Sequence, residues 1–314
     1  MNASISTSNL SKSFGRTVAL NGVGLQVPEG AVYALVGANG AGKTTLIKVL
    51  MNIFQPSSGS AQVLGVDSHK VTGKVYQRIG YVSENQEMPD WMTSGAMLAY
   101  YRDFYPQWDR TLEQQLVRQF DLPANRKLKH LSRGMRMKAA FASSLAYRPA
   151  LIVLDEPFSG LDPLVRDELI EVLIERAPET TIFLSSHDLA EIESFSTHVG
   201  FLEQGRLRFS EEMAVLTDRF RQVTVTLAGS SPPPANRPAA WLQYEAADSV
   251  VRFVHSQFEA NATSSELAAY FPSARDIALD PMSLRSIFLC IARSSRPQDS
   301  NSIPEPAAAT ETRA

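Results

Sequence analysis

The chain has 314 residues, 44% of them hydrophobic and 20% charged, with a formal net charge of −3 and a single cysteine, Cys290. That length suits one large or two smaller domains with a buried core, and the composition excludes collagen-like or disordered character over most of the chain. The small negative charge gives no electrostatic reason to expect nucleic acid as a partner; a lone cysteine forms no intrachain disulfide, and the opening MNASISTSNL lacks a secretory signal, so the cytoplasm is the expected compartment.

In chain order, the first legible element is VYALV at 32–36, a strand that runs into GANGAGKTT and then into the helical pattern LIKVLMNIF. IGYV at 79–82 reads as a second strand, followed by SENQ. LIVL at 151–154 and TIFL at 181–184 are short apolar runs bounded by charge or turn residues, as in strands buried on both faces of a partly parallel sheet. Between them Val165–Ile174 repeats apolar residues at helical spacing, with Asp162 at the N-cap and Pro163 in the first turn. No run reaches the roughly 20 apolar residues of a membrane-spanning helix. The fold class is α/β.

After Phe220 the pattern breaks. VTVTL at 223–227 runs into GSSPPPANRPAA, too rich in proline and small residues for regular structure, so a domain boundary is placed near Arg221. Beyond it, Val250–Val254 predicts a strand, Ser264–Tyr270 a short helix and Met282–Ile291 an amphipathic helix: a small α+β appendage over 221–293. From Ser294 to the end, almost no large apolar residue is available to offset the ordering entropy, and a disordered tail over 294–314 is expected.

Chemistry begins in the loop after VYALV. Gly37, Gly42, Lys43 and Thr44, with Asn39 and Gly40 between them, satisfy the phosphate-loop pattern in its required strand-to-helix context. Glycines let successive backbone N–H groups point at phosphate oxygens, and the following helix adds its positive end. Lys43 is expected to reach the β and γ phosphates of ATP, Thr44 to give its hydroxyl to Mg2+, and Thr45 to serve the α-phosphate side. Asp155 and Glu156 end the LIVL strand. An acidic pair there is either a helix cap or, beside a phosphate loop, a magnesium-side carboxylate and an activator of water. His187, after TIFLSS, is either structural or a hydrogen-bond partner of the γ phosphate.

The order GANGAGKT, LSRGM at 131–135, ALIVLDEP, SGLD at 159–162 and SSHD resembles the ATP-binding subunits of ABC transporters, over about residues 4–220. The resemblance implies a P-loop NTPase with a RecA-like core, a helical subdomain at about 88–145 and an antiparallel β subdomain, within an ATP-binding domain spanning 1–220. It implies that Phe14 stacks on adenine (its bland alternative is a core phenylalanine), and that Asp155 is the magnesium-side carboxylate. Glu156 becomes the general base, Asp162 a coupler of two sites across a dimer, and His187 the γ-phosphate switch.

Two positions depart from the family. Glu84 stands where the family usually has glutamine, with Gln86 two residues later, so either is a candidate for magnesium and the attacking water. The family's LSGGQ is here LSRGM; Ser132 and Gly134 keep the hydroxyl and a flexible backbone position, and Arg133 adds a positive charge. The guanidinium either contacts phosphate across a dimer or faces solvent. MRMKAAFASSLAY continues as a helix whose positive end would point at phosphate.

The aromatic stretch 91–110, with Trp91, Tyr100, Tyr101, Phe104, Tyr105 and Trp108, divides between subdomain core and an exposed docking face. By the same resemblance the partners are a second ATP-binding subunit, in a homodimer or a heterodimer, and an integral membrane permease, at the cytoplasmic face of the cell membrane. DPMSLRSIFL at 280–289 resembles the closing segment of exporter-type subunits, which favours export. The alternative is a soluble ABC ATPase without a permease; one nucleotide domain, no long coiled coil and no basic patch weigh against it.

Overall fold

The computed structural model describes residues 2–229 and 236–294. The chain divides into two compact units, Met1–Leu216 and Thr217–Ala314. The first begins with β1 (Ala3–Phe14), β2 (Thr17–Val23), β3 (Gln26–Pro28), β4 (Val32–Val36), α1 (Lys43–Leu50), β5 (Ser58–Val63), β6 (Val66–Asp67), α2 (Gly73–Tyr76) and β7 (Ile79–Ser83). It continues with α3 (Ser94–Arg102), α4 (Arg110–Gln119), α5 (Arg133–Leu145), β8 (Leu151–Asp155), α6 (Pro163–Arg176), β9 (Thr181–Ser186), α7 (Leu189–Glu193), β10 (His198–Glu203) and β11 (Arg206–Glu212). The first unit ends and the second begins within α8 (Met213–Arg219).

A six-stranded sheet in the order β11-β10-β4-β9-β8-β7 carries the unit; it is parallel except for β11 at its edge. Every residue of β4, β8 and β9 is buried, as the unbroken apolar runs required of strands covered on both faces. The register sets Ser83 beside Asp155, Asp155 beside Ser185 and Val36 beside Ser186. The carboxyl ends of four strands therefore lie level, and three of them, β7, β8 and β9, end in the polar Ser83, Asp155 and Ser186. Helix α1 leaves β4 through the phosphate loop and buries Leu46, Ile47, Val49 and Leu50 in one core with Tyr33, Leu151 and Phe183.

An antiparallel sheet, β2-β1-β5-β6 with β3 also paired to β1, forms the expected β subdomain. Between β7 and β8 lie α3, α4 and α5, the expected helical segment. Thr93, Asp109 and Ser132 cap them by accepting from the amides of Ala96, Thr111 with Leu112, and Met135, contacts typically worth about 1 kcal/mol each. Helix α6 starts as its sequence predicts, with Asp162 accepting from Leu164 N and Pro163 at the first position.

The second unit has β12 (Arg221–Leu227), β13 (Trp241–Ala247), β14 (Val250–His255), α9 (Ala260–Tyr270), β15 (Ala274–Pro281) and α10 (Leu284–Ser294). Its antiparallel sheet runs β13-β14-β12-β15, and its core joins Val223, Val225, Trp241, Phe253, Leu267 and Phe271. The strands expected at 223–227 and 250–254 fall in β12 and β14, and the two expected helices in α9 and α10; β13 and β15 have no counterpart in the sequence reading. Ser294, expected to open the tail, is instead the last residue of α10, where its Oγ donates to Cys290 O at 2.9 Å. The expected tail at 295–314 and the proline run at 232–234 lie outside the described residues.

Candidate functional site

The loop from Gly37 to Gly42 is shaped by close approach. A Cβ on Gly37 would meet Leu202 O at 2.2 Å, and Gly42 caps α1 at φ +108°, with Ala19 O 2.5 Å from where its Cβ would be. Any side chain there would push the loop off the sheet. Asn39 and Gly40 are exposed at the loop tip, and Thr45 is half-buried in the first turn of α1. Lys43 is buried at 5% exposure; its Nζ donates to Gly37 O at 2.6 Å and Ala38 O at 3.3 Å, and ion-pairs with Glu156 Oε1 at 2.9 Å.

Asp155 is the hub. Its Oδ1 accepts from Thr44 Oγ1 at 3.0 Å and from Ser185 Oγ at 2.8 Å, and its carbonyl accepts from Glu84 N at 2.9 Å. Ser185 also accepts from Glu156 N at 3.0 Å. Glu156 sits at φ +50°, a left-handed conformation that costs a non-glycine residue about 1–3 kcal/mol and persists only where surroundings over-determine it. Those surroundings are Ser185 below and, at the carboxylate, Lys43 on Oε1 and His187 Nδ1 on Oε2 at 2.8 Å. Behind His187, burial pushes the Glu191 carboxyl above its usual range, partly offset by a hydrogen bond from Ser186 Oγ to its Oε2 at 3.0 Å.

Thr44, Lys48, Glu84, Asn85, Asp155 and Glu156 line one cavity of about 300 Å³. Thr44, Asp155 and Glu84 give it the hard oxygen donors that suit a small divalent cation carried with phosphates. Of the two candidates after β7, Glu84 lines this cavity, whereas Gln86 lines two others and accepts from Ser83 N at 3.4 Å. Ser185 was missed from the sequence, although its place two residues before His187 on a strand beside Asp155 was the available signal.

Elsewhere the expected residues take several roles. Phe14 is exposed at 45%, not a core residue; its ring meets Phe54 edge-on at 5.3 Å and has Lys12 Nζ 4.9 Å from its centroid. Ser132 uses its hydroxyl as the α5 cap, and Gly134 lies in the first turn against Val165. Arg133 turns into its own chain, where Nη2 donates to Glu84 Oε1 and Ser159 O, both at 2.7 Å. Of the aromatic stretch, Trp91, Tyr100 and Phe104 are exposed, while Tyr105 stacks on Tyr147 at 3.9 Å. Tyr76, Tyr81, Tyr101, Tyr105 and Tyr147 help to line a cavity of about 390 Å³.

The profile of the family described as "ABC transporter" matches residues 20–159. The ABC transporter ATP-binding protein YtrB of Bacillus subtilis is 31% identical over 216 residues, covering 68% of this chain and 74% of its own. The bacitracin transport ATP-binding protein BcrA of Enterococcus faecalis is 30% identical over 224 residues, covering 70% and 73%. A solved ATP-binding subunit of an ABC transporter superposes with a TM-score of 0.63 at 26% identity, over 68% of this chain and 92% of that one. A dimeric ATP-binding cassette bound to ADP and Pi shares the fold, with a TM-score of 0.60 at 21% identity over 67% and 98%.

Proposed function

Because the chain belongs to the ATP-binding subunits of ABC transporters, which hydrolyse ATP, we propose that its ATP site is the polar cluster at the carboxyl ends of β4, β7, β8 and β9. The observation that carries this reading is the joining of Lys43, Thr44, Asp155, Glu156 and His187, from three separate motifs, by contacts of 2.8–3.0 Å. Phosphates enter against the N–H groups of the loop and the start of α1. Lys43 then exchanges the Glu156 carboxylate for phosphate oxygen, which frees Glu156 Oε1 to accept a proton from the attacking water. His187 holds the other carboxylate oxygen and so keeps the base aimed. Thr44, Asp155 and Glu84 would hold Mg2+, which would supply neutralisation of phosphate charge. Phe14 offers an exposed ring face to adenine. Asp162, as the cap of α6, fixes the loop after Glu156 for a role across a dimer.

Two such subunits close around ATP, with Ser132 and Gly134 of one facing the phosphate loop of the other, and power a separate permease at the cytoplasmic face of the membrane. The tyrosine-lined cavity and the exposed Tyr100 and Phe104 beside it support docking of a permease segment. The relatives named for bacitracin transport, with the DPMSLRSIFL segment, support export. We place a nucleotide domain over 1–220 and an appendage over 221–293, and infer a dimer-contact or regulatory role for the latter from its position alone. The test is purification of the tagged chain from its native membrane: an integral membrane protein in stoichiometric amount is expected, and a chain that retains ATPase activity but brings down none contradicts the transport reading.

A further inference from the structure

The sequence departs from its family at Glu84 and Arg133, 49 residues apart, and the structure brings these two side chains together. Arg133 Nη2 donates to Glu84 Oε1 at 2.7 Å and to Ser159 O at 2.7 Å, while Ser159 Oγ donates to the same Oε1 at 3.0 Å. Gly160, at φ +64°, leaves room for the guanidinium: a Cβ there would stand 3.2 Å from its central carbon. The three groups come from the loop after β7, the first turn of α5 and the loop between Glu156 and Asp162. Their backbone neighbour is the magnesium-side strand end, since Glu84 N donates to Asp155 O at 2.9 Å.

Glu84 lines the cavity of about 300 Å³ with Thr44 and Asp155, and also a cavity of about 220 Å³ with Arg133 and Arg136. Both bonds fall on Oε1, one of the two carboxylate oxygens. The pair is 51% and 31% exposed, and such pairs contribute little to stability; its geometry, two loops and a helix turn joined at one oxygen, fits a positioning task instead.

We propose that Arg133 is a positioning residue for Glu84 and that the two departures form one unit. The guanidinium offsets the negative charge that a glutamate adds beside Asp155 and Glu156. It also ties Glu84 to the loop that leads into Asp162, so the carboxylate facing the cation, the start of α5 and that loop are held in one arrangement. Arg133 on this account acts within its own chain, through Glu84, and is not a phosphate ligand. The inference rests on the assignment of Glu84 to the magnesium side in the proposed ATP site.

The experiment is a double-mutant cycle on the full chain. Steady-state ATPase rates and, separately, ATP affinity by calorimetry at stepped free magnesium are measured for wild type, Arg133→Ala, Glu84→Ala and the double variant, with the rates taken by titrating ATP at saturating magnesium and free magnesium at fixed ATP. Arg133→Ala is expected to move the half-activating magnesium concentration, and the magnesium dependence of ATP affinity with it, in the wild-type background and to have no further effect once Glu84 is alanine, which leaves no carboxylate to position. That coupling should be about two- to fivefold, the range of an exposed ion pair. Arg133→Lys, which keeps the charge, should recover most of the shift, and Asp90→Asn, which removes the neighbouring Arg136 ion pair, should leave it unmoved. The inference is overturned if Arg133→Ala acts equally in both backgrounds, if it raises only the KM for ATP, or if Asp90→Asn reproduces its effect. A wild-type chain that hydrolyses no ATP would sink the underlying site assignment as well, and is told apart from these outcomes by its own rate.

Discussion

The two units place their buried polar groups in opposite ways. In the first, Lys43 and Asp155 are buried beside the strand ends with partners of their own: Lys43 donates to Gly37 O and pairs with Glu156, and Asp155 accepts from Thr44 and Ser185. In the second, Trp241 packs at 4.2 Å on Phe253 and 5.6 Å on Phe271, and His255, 2% exposed, is the charged-type side chain buried beside them. Its Nδ1 accepts from Gln257 N at 3.3 Å, while its Nε2 faces Glu266 Oε1 at 3.7 Å, an oxygen already taken by Trp241 Nε1 at 2.7 Å. Polar groups buried with partners make a site; an aromatic core with one poorly partnered imidazole makes a scaffold with a weak point. Function is therefore expected to respond to the first cluster and stability of the second unit to the imidazole.

The largest expected effect lies in the first cluster. Glu156→Gln keeps the shape and loses the base, so turnover falls by roughly 10²- to 10⁴-fold while ATP still binds; a phosphate-release assay at normal rate would remove Glu156 from its role. Lys43→Ala acts on binding, because it deletes charge-assisted hydrogen bonds, and ATP affinity measured by calorimetry should fall roughly ten- to a hundredfold. Unchanged affinity would move the ATP site elsewhere. Truncation after Phe220 probes the separation itself: soluble protein with undiminished ATP affinity is expected, since the phosphate-loop cluster lies wholly within Met1–Leu216, and loss of folding would show that the units share one core.

The smallest effect belongs to His255. Burial holds its imidazole below the usual 6.5, with the Glu266 carboxylate partly opposing. The unfolded chain therefore binds the proton more readily than the folded one, and the stability present above about pH 6.5 is lost as the pH falls through the lowered folded value. Protection of the β14 amides, taken relative to their intrinsic exchange rate at each pH, should fall on acidification in the wild type and lose that dependence in His255→Phe. A wild-type profile flat with pH would place the imidazole in better contact than its geometry gives.

What the sequence disclosed follows from how far each signal extends along the chain. The phosphate loop is contiguous, since a glycine turn, a lysine and a helix start must be adjacent to cradle phosphate, and it was legible in full. The apolar runs of β8 and β9 were legible because a strand covered on both faces has no polar alternation. β13 and β15 escaped notice because both are edges of their sheet and carry exposed, charge-bearing residues, whereas central β12 and β14 show their apolar pattern. Ser185 and Ser159 were passed over because their importance lies in partners 30 and 75 residues away. Arg133 was read as facing phosphate or solvent; its contact with Glu84 depends on the turn at Gly160, which no local pattern announces.

The proposal to be tested first is that the cluster around Glu156 holds ATP between two copies of the nucleotide unit until hydrolysis releases them. The most direct measurement is the mass of the full-length Glu156→Gln chain in solution, by size exclusion with light scattering, with and without ATP and magnesium. A dimer that forms with magnesium and ATP, and returns to monomer when ATP is replaced by ADP, is the predicted result. A variant that binds ATP by calorimetry and stays monomeric contradicts it.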